Sequence, residues 1–294
     1  MRLCKNFVFA VVIISIGSLF LTGCVKNRMM QGYVYESYSL SPVNGVTIQV
    51  DDQTVITDKH GAYHLNTGEA TKVKVLIQDK RFEEFNDWVV IPEAKNYRDF
   101  ILDAAHPFGL KTKDIVIPPA YSYQLRMGKG ETSLDFIGTV DSVTVDESLR
   151  IHGKRYNEEH QLLPVESIKI GLSGFEKDEL GFWNMYDVPT DLQLRISAKE
   201  AYLIKVAYHF YQDPAFSYTR SDKSVVIDKV ECVPFTVTEK ATKKVIEVFL
   251  VKEGSYKGLV KHILQNDSEK KEYTMVTFTA YDVQNPIVPP EITE

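Results

Sequence analysis

The sequence has few cysteines, no excess of basic residues and no long hydrophobic run. Three cysteines in 294 residues exclude the dense disulfide framework of many small exported domains. With 34 basic and 40 acidic residues, a net charge of −6, the chain lacks the concentrated positive charge that nucleic-acid binding requires. Its longest apolar stretch, Phe7–Phe20, is shorter than the roughly 20 residues that span a bilayer.

Catalytic and metal-binding motifs are also lacking. None of the seven histidines is followed by glutamate three residues later, and none belongs to a His-Glu-x-x-His motif. His60 and His64 are four residues apart, but they flank a predicted turn and would not share a helical face as zinc ligands do. The sequence around Ser173 is not a Gly-x-Ser-x-Gly nucleophile motif. We therefore expect no enzymatic activity, no metal and no cofactor.

The N-terminus has the three parts of a secretion signal. Arg2 and Lys5 precede the apolar run, and Leu21-Thr-Gly-Cys24 follows it. This segment resembles the signal and lipobox of bacterial lipoproteins. The resemblance implies cleavage between Gly23 and Cys24, and a diacylglycerol on the Cys24 sulfur as the only attached group. Several acyl chains on one cysteine would hold the mature protein firmly at a membrane.

The residues after the lipobox bear on where the mature protein resides. In bacterial lipoproteins an aspartate directly after the cysteine commonly signals retention in the inner membrane, and Val25 stands here instead. The family therefore implies the outer membrane of the cell envelope, on either of its two faces. Removal of the signal leaves 271 residues with a net charge of −8. Of the cysteines, this leaves only Cys232 unmodified, and its apolar neighbours predict a small buried side chain.

Strict alternation of apolar and polar residues dominates the mature chain. It occurs at Val46–Val50, Lys72–Ile77, Ser167–Ile170, Leu192–Ile196 and Tyr273–Tyr281. Turn-forming residues separate these runs, and no amphipathic helix of three turns is apparent. The pattern is typical of short antiparallel strands with one buried face. We therefore predict an all-β protein built of tandem transthyretin-like or immunoglobulin-like β-sandwiches.

A weak internal repeat has an offset of about 121 residues. Each copy has a glycine-led strand, a proline, an alternating strand and an Asp-x-x-Gly turn, which begins at Asp58 in the first copy and Asp178 in the second. The first copy, over residues 30–103, resembles the carboxypeptidase regulatory-like domain. Its Gly32-Tyr-Val, Pro42-Val-Asn-Gly-Val46, Thr57–Tyr63 and Phe100-Ile-Leu102 carry this resemblance, which implies a seven-stranded transthyretin-like sandwich. The second copy is more divergent, and its topology is left open.

These observations predict six segments. They are a signal peptide at 1–23, a tether at 24–29, a regulatory-like β-sandwich at 30–105, a linker at 106–120, a second β-sandwich with extra strands at 121–284, and a frayed tail at 285–294.

The function predicted from the sequence is binding. Exposed tyrosine and tryptophan side chains stack on sugars and fill protein interfaces, and four aromatic residues are candidates for such a surface: Trp183, Tyr186, Tyr208 and Tyr211. We expect a membrane-anchored scaffold whose partner is an envelope protein or a glycan, and no nucleic acid. Two alternatives remain open: a pilus or adhesin subunit that accepts a donated strand, and an enzyme whose site is assembled from scattered residues.

Overall fold

A computed structural model describes residues 27–111, 114–115, 118–129, 133–144, 147–157, 161–267, 272–281 and 286–292. The predicted signal peptide, Gly23 and Cys24 lie outside these ranges. The chain divides into two compact units, Met1–Ala105 and His106–Glu294. Within the described ranges, no helix combines the length and apolar character that crossing a bilayer requires.

Unit 1 is built of eight short strands. They are β1 (Arg28–Glu36), β2 (Thr47–Val50), β3 (Gln53–Ile56), β4 (Ala62–Gly68), β5 (Lys72–Ile77), β6 (Phe85–Val90), β7 (Lys95–Tyr97) and β8 (Phe100–Leu102). One sheet has the order β4-β1-β7, with β8 also paired to β1, and the other has the order β3-β2-β5-β6. Alternation puts one face of each strand into the core, as Val73, Val75 and Ile77 of β5 illustrate.

The described residues of unit 2 form twelve strands and one helix. The first six strands are β9 (Ala120–Lys129), β10 (Ser133–Val143), β11 (Ser148–Tyr156), β12 (Leu162–Ile170), β13 (Ser173–Lys177) and β14 (Trp183–Tyr186). The helix is α1 (Asp191–His209). The last six strands are β15 (Phe216–Arg220), β16 (Val225–Ile227), β17 (Val230–Glu239), β18 (Val245–Val251), β19 (Val260–Asp267) and β20 (Glu272–Tyr281).

All twelve strands of unit 2 belong to one antiparallel sheet. Its order is β14-β13-β12-β11-β10-β9-β20-β19-β18-β17-β15, with β16 beside β17. The chain starts in the middle at β9, runs to the β14 edge, crosses through α1 to the β15 edge and returns to pair β20 with β9. The 19-residue helix, about 28 Å long, and the segments on either side of it carry the chain from one edge of the sheet to the other.

The core of unit 2 lies between α1 and the sheet. Leu192, Ile196, Leu203 and Val206 of the helix are almost completely buried against sheet residues such as Phe235. A smaller hydrophobic cluster lies on β12 and β13, where Ile168 and Phe175 pack against Ile287. The strands of both units confirm the predicted all-β class. In unit 2, a helix rather than a second sheet packs on the twelve-stranded sheet.

Three local predictions were wrong. Leu192–Ile196 is the start of α1 and not a strand, because its apolar residues also fit the face of a helix that packs on a sheet. Tyr208, a candidate for an exposed binding surface, lies buried at the end of the same helix. Ile287 belongs to the predicted frayed tail, yet it is only 6% exposed because the cluster around Phe175 buries it.

The internal repeat is a repeat of turns and not of domains. Asp58 and Asp178 each accept two backbone N–H hydrogen bonds, while Gly61 and Gly181 adopt positive φ angles of 73° and 89°. The strand pairing around the two turns differs, however. β1 and β2 belong to different sheets, whereas the corresponding β11 and β12 are hydrogen-bonded neighbours. Turn chemistry has therefore converged locally on two different topologies.

Candidate functional site

The centre of α1 is polar on the side that faces the sheet. The buried stripe of the helix runs through Leu192 and Ile196 and resumes at Leu203. Between Ile196 and Leu203, one turn carries Lys199 and Glu200, which are only partly exposed and have partners on the sheet. Two charged groups at a helix–sheet contact lose hydration, so they need hydrogen bonds from the protein to remain there.

Glu200 has three hydroxyl donors. The hydroxyls of Tyr121 and Tyr123 donate to its two carboxylate oxygens, each at 2.7 Å, and Ser142 Oγ donates at 2.6 Å. Burial, followed by the nearby Glu200 carboxylate, raises the pKa of both tyrosines well above the usual value. The tyrosines therefore stay protonated and act as donors, which fixes the middle of α1 against β9 and β10.

Lys199 has its partner on the other side of the helix. Its Nζ donates to Gln265 Oε1 of β19 at 3.3 Å. Gln265 is 2% exposed, and its Nε2 has no hydrogen-bond partner among the described residues. Gln265 pairs across the sheet with Thr274, which is also buried. On this side of the helix, the Nε2 group of Gln265 is therefore a buried donor that no described residue accepts from.

A groove of about 510 Å³, which we call the helix groove, opens next to Lys199. Three basic and three acidic residues line it: Arg195, Lys199, Lys244, Asp135, Glu239 and Glu272. Tyr202 also lines it, with Lys244 Nζ 5.3 Å from its ring centroid. The Tyr202 hydroxyl oxygen is buried and has no partner among the described residues. The volume is in the range of small-molecule sites.

A second cavity, of about 320 Å³, lies on the Glu200 side of α1. Ser142, Glu200 and Lys169 line it. Lys169 is only 7% exposed, and its Nζ donates to the backbone oxygen of Glu147 at 2.9 Å. Since Glu200 and Lys169 both have protein partners, this cavity offers fewer unused polar atoms than the helix groove.

The four predicted aromatic residues do not form one surface. Tyr208 is 6% exposed and belongs to the core, so its assignment to a binding surface was wrong. Tyr211 is half-buried, with its ring 4.9 Å from that of His106. Trp183 and Tyr186 lie on β14, where Trp183 packs against the Phe175 cluster and Tyr186 is 42% exposed. Trp183 and Tyr186 lie before the helix, on the β14 edge of the sheet, whereas Tyr208 and Tyr211 lie at and after its C-terminal end.

Sequence reasoning missed the residues of the helix groove. Arg195, Lys199 and Tyr202 come together on α1, whose helical period was masked by the alternation at Leu192–Ile196. The spacing of Leu192, Ile196, Leu203 and Val206 was the signal that could have identified the helix. Among the residues that the structure describes, no group of three His, Cys, Asp or Glu side chains could hold a metal ion.

The site thus belongs to an all-β unit in which one helix packs on an antiparallel sheet. Neither protein-family models nor curated proteins match the chain. Solved structures with some similarity include a proposed carbohydrate-binding protein from Bacteroides uniformis, at 12% identity and a TM-score of 0.25, covering 49% of this chain and 96% of that one. A LolA superfamily protein from Nitrosomonas europaea has 7% identity and a TM-score of 0.27, covering 60% and 91%. A DUF1329 family protein from Desulfovibrio piger has 12% identity and a TM-score of 0.25, covering 60% and 90%.

Proposed function

We propose that this chain is an envelope lipoprotein, anchored through Cys24 to the outer membrane, whose second unit is a non-catalytic binding module. The ligand is a neutral, hydroxyl-rich molecule such as an oligosaccharide, held in the helix groove. The observation that carries this proposal is Tyr202, a residue of the groove wall whose buried hydroxyl has no partner among the described residues. A buried polar atom without a partner costs free energy, and a bound ligand can supply the missing hydrogen bond.

The charge of the groove supports a neutral ligand. Its three basic and three acidic residues balance, so a strongly charged ligand would meet as much repulsion as attraction. Hydroxyl groups both donate and accept, and therefore suit carboxylates and ammonium groups together. The apolar surface of Met127, which also lines the groove, suits the carbon-bound faces of a sugar ring.

The binding proposal is tested with Tyr202→Phe and purified mature protein on an array of neutral and charged oligosaccharides. We expect wild-type protein to bind neutral glycans, and the variant to bind roughly tenfold more weakly, as for the loss of one hydrogen bond. The variant should be at least as stable as wild type. Tyr218→Phe is the matched control, because Tyr218 does not line the groove. Equal affinity in wild type and Tyr202→Phe, no glycan binding, or turnover of a bound glycan would contradict the proposal.

The anchor is tested separately. Mature protein should fractionate with outer membranes, and Cys24→Ser protein should leave the membrane fraction because it has no acyl chains. Metabolic labelling with a palmitate analogue should mark wild type and not Cys24→Ser. A Cys24→Ser protein that stays with the membrane would overturn the anchor and leave the groove proposal standing.

For unit 1 the carboxypeptidase regulatory-like assignment remains part of the proposal. Its support is the arrangement of strands in two four-stranded sheets around one core. Such a domain would act here as a spacer next to the anchor. Deletion of unit 1 should then leave glycan binding by unit 2 unchanged, whereas loss of glycan binding would contradict a spacer role.

A pilus or adhesin subunit is the second candidate, favoured by the β14 edge of the sheet. Among the described residues β14 pairs with β13 alone, and Phe182, just before β14, and Met185, within it, are each 53% exposed. An open edge with apolar side chains could accept a strand from another subunit. Ladders that resist boiling in detergent, lost on changing Met185 to proline, would favour this function. A monomer under the same conditions would exclude it.

A further inference from the structure

Unit 1 has an open side where both of its sheets end. Strand β6 is the last strand of one sheet and pairs only with β5, while β7 is the last strand of the other and pairs only with β1. The short connection from β6 to β7 passes from one sheet to the other through Ile91, which is completely buried. Two sheet edges and their connecting loop therefore border the same surface.

A groove of about 540 Å³ lies along these strands. Three large apolar or aromatic side chains on its walls are strongly exposed: Trp88 by 54%, Val90 by 65% and Tyr97 by 78%. Single exposed apolar residues are ordinary, but a contiguous group on one face marks an interaction surface. Tryptophan and tyrosine in particular favour the boundary between water and the apolar part of a bilayer.

The charge around this groove is positive, in contrast to the net charge of −8 of the mature chain. Lys95 and Arg98 line the groove with a single acid, Glu93. Lys72 adds a third positive charge, since its Nζ lies 5.3 Å from the centroid of the Trp88 ring. Basic side chains next to exposed aromatic rings match the anionic headgroups and acyl boundary of a membrane surface.

The predicted anchor is only a few residues away from a strand that borders this groove. Cys24 precedes Arg28, the first residue of β1, by four positions, a reach of at most about 14 Å when fully extended. The first residues of β1 are hydrogen-bonded neighbours of β7, with Met29 opposite Lys95 and Gln31 opposite Tyr97. A lipid on Cys24 therefore holds the groove within a short distance of the bilayer.

We propose that the groove face of unit 1, formed by Trp88, Val90, Lys95, Tyr97 and Arg98, docks on the anionic membrane surface beside the Cys24 lipid. The inference rests on the proposed anchor. Docking would orient the protein on the membrane. A tether of four residues alone leaves the face of unit 1 undefined, whereas aromatic and basic contacts select one face.

The test uses lipidated mature protein in vesicles of phosphatidylcholine with and without phosphatidylglycerol. The chain has two tryptophans, Trp88 and Trp183, so Trp183→Phe leaves Trp88 as the only reporter. We expect lipids brominated near the headgroup to quench Trp88 emission, and iodide in the buffer to quench it weakly. The matched variant, Trp88→Phe, leaves only Trp183 of unit 2, and its Trp-free counterpart Trp88→Phe with Trp183→Phe gives the background emission to subtract.

The charge contribution is measured with Lys95→Gln and Arg98→Gln in the Trp183→Phe background. Each should lower the ratio of docked to undocked protein roughly fivefold in vesicles that contain phosphatidylglycerol. The effect should shrink at high salt, because surface charges are then screened. If iodide quenched Trp88 emission strongly and brominated lipid did not quench it, the docking face would be wrong.

Failure of the anchor gives a different result. If Cys24→Ser protein remained at the membrane as wild type does, the lipid anchor would be wrong. If Cys24→Ser protein were released while Trp88 of the lipidated protein remained open to iodide, the anchor would hold and the docking face would be wrong.

Discussion

Glu200 of the helix accepts a 2.7 Å hydrogen bond from the hydroxyl of Tyr123 on the central strand β9. Tyr123 is 2% exposed, so the bond lies inside the helix–sheet contact. With Tyr121 and Ser142 as further donors to the same carboxylate, Glu200 ties α1 to the strands at the middle of the sheet. Glu200 therefore holds the helix on the sheet and also lines the second cavity, while its neighbour Lys199 lines the helix groove.

Replacement of Glu200 by alanine should destabilise unit 2 by about 3–5 kcal/mol, because three donors lose their acceptor. Glu200→Gln keeps one acceptor oxygen and should cost less. The measurement is urea unfolding followed by Trp183 fluorescence in a Trp88→Phe background, with Glu179→Ala in an exposed turn as control. If Glu200→Ala were as stable as Glu179→Ala, the carboxylate would not be what holds the helix.

Gly153 and Gly138 face each other across β11 and β10 beneath the ring of Phe136. A Cβ on Gly153 would clash with the backbone oxygen of Ile137 and would lie 2.8 Å from Phe136 Cε2, and Phe136 is completely buried. Gly153→Ala should therefore destabilise unit 2 by about 1–3 kcal/mol through overpacking. A Phe136→Leu background should relieve only the ring contact, because the backbone oxygen of Ile137 stays where it is. Urea unfolding of Gly153→Ala at wild-type stability would contradict the clash.

Unit 2 should lose stability as the pH falls from about 6.5 towards 4, because of His106. Burial, and then the nearby charge of Lys257, lower the pKa of His106 to about 4. Between the folded and unfolded pKa values the unfolded chain binds a proton that the folded chain does not, so acid favours unfolding. The slope is at most about 1.4 kcal/mol per pH unit.

The measurement for His106 is the free energy of unfolding at several pH values. His106→Gln should flatten the profile in this window, although His262, whose pKa burial also lowers, will leave part of the slope. His60→Gln, on an exposed turn, is the control and should keep the full slope. An unchanged profile in His106→Gln would contradict the assignment.

Cys232 should resist alkylation in the folded protein. Its side chain is completely buried, and burial raises the pKa of the thiol to about 11, so little reactive thiolate forms near neutral pH. Signal-free Cys24→Ser protein leaves Cys232 as the only cysteine, and mass spectrometry after iodoacetamide should show labelling in urea and none without it. Rapid labelling of the folded protein would show that β17 opens.

Local interactions were readable from the sequence. The strand predicted at Lys72–Ile77 is β5 with the same bounds, and Tyr273–Tyr281 lies within β20. Both turns at Asp58 and Asp178 form as their residues predicted. Turn chemistry depends on neighbours within a few residues, and strand alternation can be read in the same way wherever no distant partner overrides it.

The sequence alone determined the all-β class, the turns at Asp58 and Asp178 and some of the strand positions, and it predicts the lipid anchor at Cys24. Only the tertiary structure decided that α1 replaces a strand at Leu192–Ile196, that Tyr208 is buried, and that Lys199 meets Gln265 from a strand 66 residues away. Alternating apolar residues satisfy either a strand or a helix, and burial against a distant partner selects between them. The helix groove exists for the same reason, because its walls come from α1 and from strands far apart in the chain.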